Sequence, residues 1–504
     1  MSAEPLLADD WRALAKALPL EQGLFIDGDF RQARSGRRFA SVNPSNGETL
    51  AKLPSADGQD VDIAVNSARR AFQSGVWSRR PPRERMAVLN RLADLIEQHQ
   101  RTFALLDCLD MGKPISEMLT VDLPLSVQCL RFTAESIDKV LGTVGATASH
   151  IHSFVLRQPL GVVACVVPWN YPLLMSCWKI APALAAGNSV VLKPAEESPL
   201  SALWLAKLFI EAGAPPGVLN VLTGDGPGCG RPLALHQDVD KIAFTGSAEV
   251  GKLMLCYAGQ SNMKQLSLEC GGKSPHVILA DVQDLEAAAR WAAMGVFGNQ
   301  GQICCAGSRL LVEQSILPDF LEAFLNAARA HHIPGDPLDP ATSMGPLVSR
   351  GQQRRVLDYI ALGRQAGAQC LLGGDTPRHL DHGAYVNPTV FAGVNNGMRI
   401  AREEIFGPVA CVMPVSGLDQ AIAIANDSPF GLAAGIWTQN LNHAHRFARE
   451  VEAGMVYVNS YMDGDMQLPF GGWKESGNGR DKCFDALLAY TQTKGVWMTL
   501  NQEQ

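Results

Sequence analysis

The chain has 504 residues, 47% of them hydrophobic and 18% charged, with a formal net charge of -7. That length exceeds what one hydrophobic core organises and implies two or three domains, while the ordinary polar balance excludes a disordered or membrane protein. An acidic balance without any basic cluster excludes nucleic acid and anionic membranes as expected partners. The first 24 residues carry Glu4, Asp9 and Asp10 where a signal peptide needs a basic head and an apolar run. Twelve cysteines in such a chain are expected to be reduced thiols in the cytoplasm. With no C-x-x-C pair and no H-x-x-x-H pattern, no metal site is expected.

In chain order, residues 24–54 alternate around an Asp-Gly turn and the turn N-P-S-N-G-E, which predicts a β-hairpin. Helical spacing follows at 60–73 and at 82–108, the latter one long amphipathic segment with Leu89, Leu92, Ile96, Phe103 and Leu106 on one side. A further helix is expected over 125–140, and 150–159 reads as extended. A strand–helix rhythm then begins, with strands at 162–167, 189–193, 218–222 and 241–244 and helices at 173–186, 201–212 and after Ser247. Short apolar strands alternating with helices predict an α/β fold built on a parallel sheet, with ligands at the carboxyl ends of its strands. Those ends carry Pro168-Trp169-Asn170, Lys193 to Glu196, Gly224 to Gly230 and Thr245-Gly246-Ser247. The dinucleotide fingerprint G-x-G-x-x-G is absent after the first strand, so an anion must meet another helix start. Ser247 offers one, as a cap with free amides beside it.

A second α/β domain is predicted after Ser274, with strands at 277–279, 309–312, 409–413 and 455–459 and helices at 285–297, 317–330, 349–366, 418–426 and 443–449. Residues 490–500 alternate like a strand near a terminus, which fits either pairing with another subunit or completion of this chain's own sheet. Within the second domain lies F-G-N-Q-G-Q-I-C-C-A-G-S-R, residues 297–309. Its two cysteines read either as a nucleophile on a small-residue turn or as buried small hydrophobes.

V-V-P-W-N-Y-P (166–172), K-P-A-E (193–196), F-T-G-S (244–247), L-E-C-G-G-K-S-P (268–275), G-Q-I-C-C-A-G-S-R (301–309), E-E-I-F-G-P-V (403–409) and P-F-G-G-W-K-E-S-G (469–477) occur in one order. Together they resemble the NAD(P)-dependent aldehyde dehydrogenase superfamily, over almost the whole chain. The resemblance implies a Rossmann-like parallel-sheet cofactor domain (1–141 and 160–273), an α/β catalytic domain (274–484) and a β oligomerisation flap (142–159 and 485–504) serving a homodimer or homotetramer. It implies Cys304 as nucleophile, with Cys305 a packing neighbour, and Asn170 with the Cys304 amide as oxyanion donors. Glu269 would be the base for thioester hydrolysis, and Lys179 would help organise the proton network. Where the family often has Glu after its last Gly-Arg, this chain has the shorter Asp481.

The same resemblance implies NAD as cofactor, with NADP left open by Lys193. The implied contacts are Val167, Pro168, Trp169, Lys193, Ala195, Glu196, Gly226, Gly230, Phe244, Thr245, Gly246, Ser247, Val250, Gly271, Glu404 and Phe406. Glu196 would accept from the adenosine ribose and repel a 2′-phosphate. Tyr171, Trp178 and Phe470 match the family's aldehyde tunnel, which Gly298 would widen. Asp122, Asp463 and Asp465 are candidates to attract a cationic or amide-rich tail; a solvated Asp-Gly turn is the alternative for the latter two. The loop D-G-D-M, with S-G-N-G-R-D-K and L-F-I-D-G-D-F, is similar to bacterial dehydrogenases of polyamine and arginine catabolism. These act on γ-glutamyl-γ-aminobutyraldehyde or 4-guanidinobutyraldehyde; a broad aliphatic or betaine-type aldehyde is the alternative. An esterase using the same thiol and carboxylate would need none of the cofactor anchors.

Overall fold

The computed structural model describes residues 6–500. Five strands, Gln265–Glu269, Lys241–Thr245, Val162–Val166, Ser189–Lys193 and Leu219–Val221, run parallel in that order, and Leu24–Ile26 with Asp29–Arg31 extends the sheet antiparallel. Val162–Val166 and Ser189–Lys193 are buried at every position, as strands covered by helices on both faces must be. A second seven-stranded sheet runs Gln369–Leu372, Thr389–Ala392, Val409–Val415, Arg309–Glu313, Pro275–Ile278, Ala433–Trp437 and Met455–Val458, antiparallel only at its first pair. A third, antiparallel sheet pairs Thr491–Thr499 with Ile151–Pro159 and Thr143–Val144.

Several sequence expectations change. Residues 24–54 form two hairpins. Asp27 and Gly28, both with positive φ, turn the first into the parallel sheet, and Arg38–Val42 pairs with Thr49–Pro54 separately. The predicted helix 82–108 is two helices, Pro82–Gln98 and Gln100–Met111, broken at His99. The first is amphipathic, whereas the second is buried continuously from Phe103 to Met111, so the two have different faces to cover. Its buried acids cap other helices: Asp107 accepts from the Leu173 amide at 3.1 Å and Asp110 from the Leu200 amide at 2.9 Å. The helix expected at 125–140 begins earlier, as Ile115–Glu117, a π turn Met118–Asp122 and Leu123–Ser136. Residues 490–500 complete this chain's own sheet, in register from Thr491↔Pro159 to Thr499↔Ile151.

The segments that leave the two large sheets meet, and this placement makes the site. Register pairs Thr245 with Glu269 and Val166 with Lys193, bringing the chemistry-bearing ends of the first sheet to one edge. The chain from Glu269 crosses to Pro275 through two glycines, while the cysteine turn enters the second sheet at Arg309. An ideal Cβ on Gly272 would lie 2.7 Å from the Cys304 carbonyl, so the crossing segments touch only because that residue is glycine.

Candidate active site

A cavity of about 1120 Å³ opens along this seam. Cys304 lies on its wall, half-buried, whereas Cys305 is 7% exposed. The turn that presents them is held under strain: buried Asn299 and Gln300 both adopt left-handed backbone, with φ of 45° and 57°. Side-chain amides fix it there. Asn170 donates to the Gln302 carbonyl at 2.8 Å, and Asn299 donates to the Asn170 carbonyl at 2.9 Å. One N–H of the Asn170 amide is thereby used, leaving its second, and the Cys304 amide donates to no group among the described residues. A hydrogen bond with Cys305, burial, and the carboxylates of Glu404 and Glu269 push the Cys304 thiol well above its ordinary range.

Glu269 is 3% exposed, lines the same cavity, and neither carboxylate oxygen has a hydrogen-bond partner. Burial first, then the nearby Asp481, pushes its carboxyl well above the usual range, against Lys179 and Arg480. Room for it comes from Gly471, where an ideal Cβ would stand 2.7 Å from Glu269 Oε1. Lys179 does not line the cavity; it forms a buried ion pair with Asp481, Nζ to Oδ2 2.5 Å. The shorter Asp481 thus reaches Lys179 and the cavity wall together, held by paired backbone bonds to Phe470.

At the other end of the cavity, Ser247 caps helix Ala248–Gln260, its Oγ accepting from the Val250 amide, and the Thr245 hydroxyl is buried without a partner. Thr245, Gly246, Ser247, Gly271, Glu404 and Phe406 all line it, as do Pro168 and Trp169. Glu404 accepts from the Gly272 amide at 3.0 Å, and burial raises its carboxyl to about 7. An ideal Cβ on Gly271 would fall 2.2 Å from Glu404, so that glycine makes the cradle. Phe406 is held in left-handed backbone, edge-on to Trp169 at 5.1 Å. Val167, Lys193, Ala195, Glu196, Gly226, Gly230, Phe244 and Val250 lie outside this cavity. Lys193 and Glu196 pair with each other at 3.0 Å, and the positions above Gly226 and Gly230 are open. Phe244 supports the turn from beneath, its ring 2.5 Å from an ideal Cβ on Gly246.

Toward solvent, Trp178 and Phe470 meet edge to face at 5.3 Å, and Tyr171, Gly298 and Asp463 line the same region. Asp122 is the clear departure: fully buried, it pairs with Lys113 at 2.7 Å and does not line the cavity. The Lys113 ammonium stands 3.4 Å over the Tyr171 ring, so Asp122 supports an aromatic wall and presents no charge to a ligand. Asp465 also lies off the wall, accepting from the Gln467 amide in a solvated turn. Besides Asp463, Glu117 lines the cavity; burial raises its carboxyl above the usual range, and it has no ion pair among the described residues.

Sequence reasoning missed Glu117 and a buried ring. Tyr461 donates to the Cys305 carbonyl at 2.8 Å and stacks on His276 at 4.4 Å, whose Nε2 accepts from Trp437. Gly295, Gly307 and Gly435, from three elements, close on that ring, with ideal Cβ positions 2.9, 2.9 and 2.6 Å away. The signal was three glycines inside a helix, a turn and a strand, where glycine weakens each element unless something approaches closely.

A family model described as "Aldehyde dehydrogenase family" matches residues 30–496. The NADP/NAD-dependent aldehyde dehydrogenase PuuC of Escherichia coli is 49% identical over 490 residues, 97% of this chain and 98% of that one. The solved structure of gamma-glutamyl-gamma-aminobutyraldehyde dehydrogenase from Burkholderia cenocepacia is 51% identical, covering 98% and 100% of the two chains with a TM-score of 0.96. P. syringae AldA, an indole-3-acetaldehyde dehydrogenase solved with NAD+ and IAA, is 51% identical with the same coverage and a TM-score of 0.97.

Proposed function

Since this chain belongs to the aldehyde dehydrogenase family, we propose that it oxidises an aldehyde to a carboxylic acid through a thioester on Cys304. The observation that carries this reading is one wall bearing Cys304, an unpartnered buried carboxylate at Glu269, and the Asn170 amide. The Cys304 sulfur adds to the aldehyde carbon, and its proton leaves to solvent or to Glu269. The developing oxyanion takes the second Asn170 N–H and the free Cys304 amide, each worth about 3 kcal/mol in comparable sites. Glu269, its proton affinity raised by burial, then takes a proton from the water that hydrolyses the thioester. Asp481 and Lys179 hold the charges behind it.

The residues present fit a nicotinamide dinucleotide, which when bound supplies the acceptor for the electron pair leaving the aldehyde carbon. The orphaned Thr245 hydroxyl and the capped helix start at Ser247 suit a pyrophosphate, and the Glu404 cradle suits a ribose diol. Glu196 suits the second ribose and disfavours a 2′-phosphate. Because Lys193 is already paired with Glu196, its charge is spent there, which supports NAD over NADP.

For the aldehyde, an ω-amino, γ-glutamylamino or guanidino tail is the reading we favour, supported by Glu117 and Asp463 along the arm. The aromatic walls of Trp178, Tyr457 and Phe470 favour a second reading, a broad apolar aldehyde. We further propose a cytoplasmic homo-oligomer assembled through the third sheet, whose Val144 and Trp497 are 70% and 65% exposed. Among the described residues no helix is long and apolar enough to cross a membrane. The test is NADH formation across a panel of aldehydes. Cys304→Ala abolishes turnover while NAD binding persists; Glu117→Gln with Asp463→Asn lowers kcat/KM for aminoaldehydes relative to hexanal about tenfold. An unchanged ratio removes the charged-tail reading, and full activity in Cys304→Ala removes the mechanism.

A further inference from the structure

The motif Gly479-Arg480-Asp481-Lys482 ends on a charge that the reaction above does not use. Arg480 and Asp481 are engaged, the first with the Gly472 and Gly479 carbonyls and the second with Lys179. Lys482 is half-buried and lines the cavity, yet its ammonium has no hydrogen bond and no carboxylate partner among the described residues. It stands 5.8 Å from the centroid of the Trp178 ring, which walls the aldehyde arm together with Phe470. Burial makes this ammonium easier to deprotonate than an ordinary lysine, so an unpaired charge is held at a cost where a ligand can reach it.

The backbone holds it there. Lys482 has φ 63° and ψ -160°, a region that glycine ordinarily occupies, and Cys483 after it has φ 40°. This strained pair is fixed from both sides: the Asp481 amide donates to the Phe470 carbonyl at 2.7 Å, and the Cys483 amide donates to the Met466 carbonyl at 2.7 Å. Facing the ammonium is Gly464, where an ideal Cβ would lie 4.0 Å from Lys482 Nζ. The ammonium is thus one residue from Asp463, which lines the same cavity without pairing with it. Asp463 Oδ1 accepts from the Gly464 amide at 2.8 Å, and Oδ2 accepts from none of the described residues. An ammonium and a carboxylate that border one arm and do not neutralise each other present a donor and an acceptor to what enters it. A secondary amide offers the matching pair, a carbonyl oxygen and an N–H. A bare ammonium or guanidinium has no acceptor for Lys482 and is repelled by it.

We infer that Lys482 is a specificity-determining residue: its ammonium donates to the carbonyl oxygen of an amide in the tail of the aldehyde, whose N–H is left to Asp463. This rests on the reading of the chain as an oxidiser of aldehydes with polar tails, and it narrows those tails to the amide-bearing one.

The test is NADH formation by the full chain with four aldehydes: 4-acetamidobutanal, 5-oxopentanoate, 4-trimethylammoniobutanal and hexanal. Lys482→Met should lower kcat/KM for the amide relative to hexanal about tenfold, because a charge-assisted hydrogen bond is lost. The same variant should raise the ratio for the trimethylammonium aldehyde, because a like charge is removed. Lys482→Arg, which keeps the donor and the charge, should hold the amide ratio within about threefold of native. An unchanged amide ratio in Lys482→Met overturns the inference, and so does an equal fall for the amide and the trimethylammonium aldehyde, which would report general damage to the arm. A fall confined to 5-oxopentanoate makes the lysine a carboxylate anchor and overturns the amide assignment. No NADH from any of the four with the native chain removes the underlying reading, and the inference with it.

Discussion

The Tyr461 hydroxyl touches the nucleophile turn one residue past Cys304, and it does so from a ring that three glycines admit. Tyr461→Phe keeps the ring and its His276 stack and removes a single hydrogen bond, worth about 1 kcal/mol. Turnover should fall by roughly two- to tenfold in kcat/KM with NAD affinity and thermal midpoint nearly unchanged; steady-state kinetics beside cofactor titration reads this, and native kcat/KM would contradict it. Titration offers a second check on the same turn. With the Cys304 thiol pushed up, its labelling by iodoacetamide should keep rising above pH of about 8.5, where an ordinary thiol levels off. The motif residues of this site were readable because each has a side chain that chemistry demands. Glu117 and Tyr461 were not, since nothing local distinguishes a carboxylate facing a cavity, or a tyrosine facing a turn, from its solvated or packed counterpart. Asp122 was misread for the same reason: its partner Lys113 is nine residues away, across the π turn.

Two acids on helix Gln100–Met111 tie the elements that frame the cleft, capping the helices that begin at Pro172 and Leu200. Burial raises Asp107 from its ordinary value near 4 to about 7. The folded state therefore holds a proton that the unfolded chain releases. The sign follows: this contribution is fully present below about pH 4, is lost as pH rises through about 7, and is flat beyond. Asp107→Asn should remove that part of the slope, seen as a smaller difference in thermal midpoint between pH 5 and pH 8; an unaltered slope would assign it to other groups. At this scale the sequence rhythm located the buried strands at 162–166, 189–193 and 309–313, where apolar runs leave no choice of face. It did not locate Ala433–Trp437, whose Ala-Ala-Gly start lacks β-branched residues because Gly435 must clear Tyr461 and His276. Gln265–Glu269 was equally hidden, as an edge strand of the parallel sheet with polar ends.

The small third sheet projects strand Thr491–Thr499 with Trp497 and Met498 exposed on it and Val144 on its opposite edge. Exposed large apolar side chains on this sheet support the proposal that another copy covers it. Replacing Trp497 and Val144 by Glu should lower the solution mass measured by light scattering while the monomer keeps its circular dichroism. An unchanged mass would move the interface elsewhere. The sequence alone left open whether this strand served its own chain or a neighbour. Its own-chain pairing with 151–159 depends on residues more than 300 positions away, as the Arg157–Thr491 contact shows, and no local pattern carries that information.

The turn bearing Cys304 lies against Asn170, 132 residues earlier than Gln302, and against Tyr461, 156 residues later than Cys305. Its backbone strain is thus sustained in part by Asn170, a partner from the first sheet that reaches the turn only when both large sheets have come together. In a refolding chain, helices and individual sheets form from nearer contacts and the long-range seam closes afterwards. Catalytic competence is therefore the last property such a molecule acquires and the first that partial unfolding removes. Chains caught before closure would carry native secondary structure and a Cys304 thiol with the ordinary pH dependence of any other.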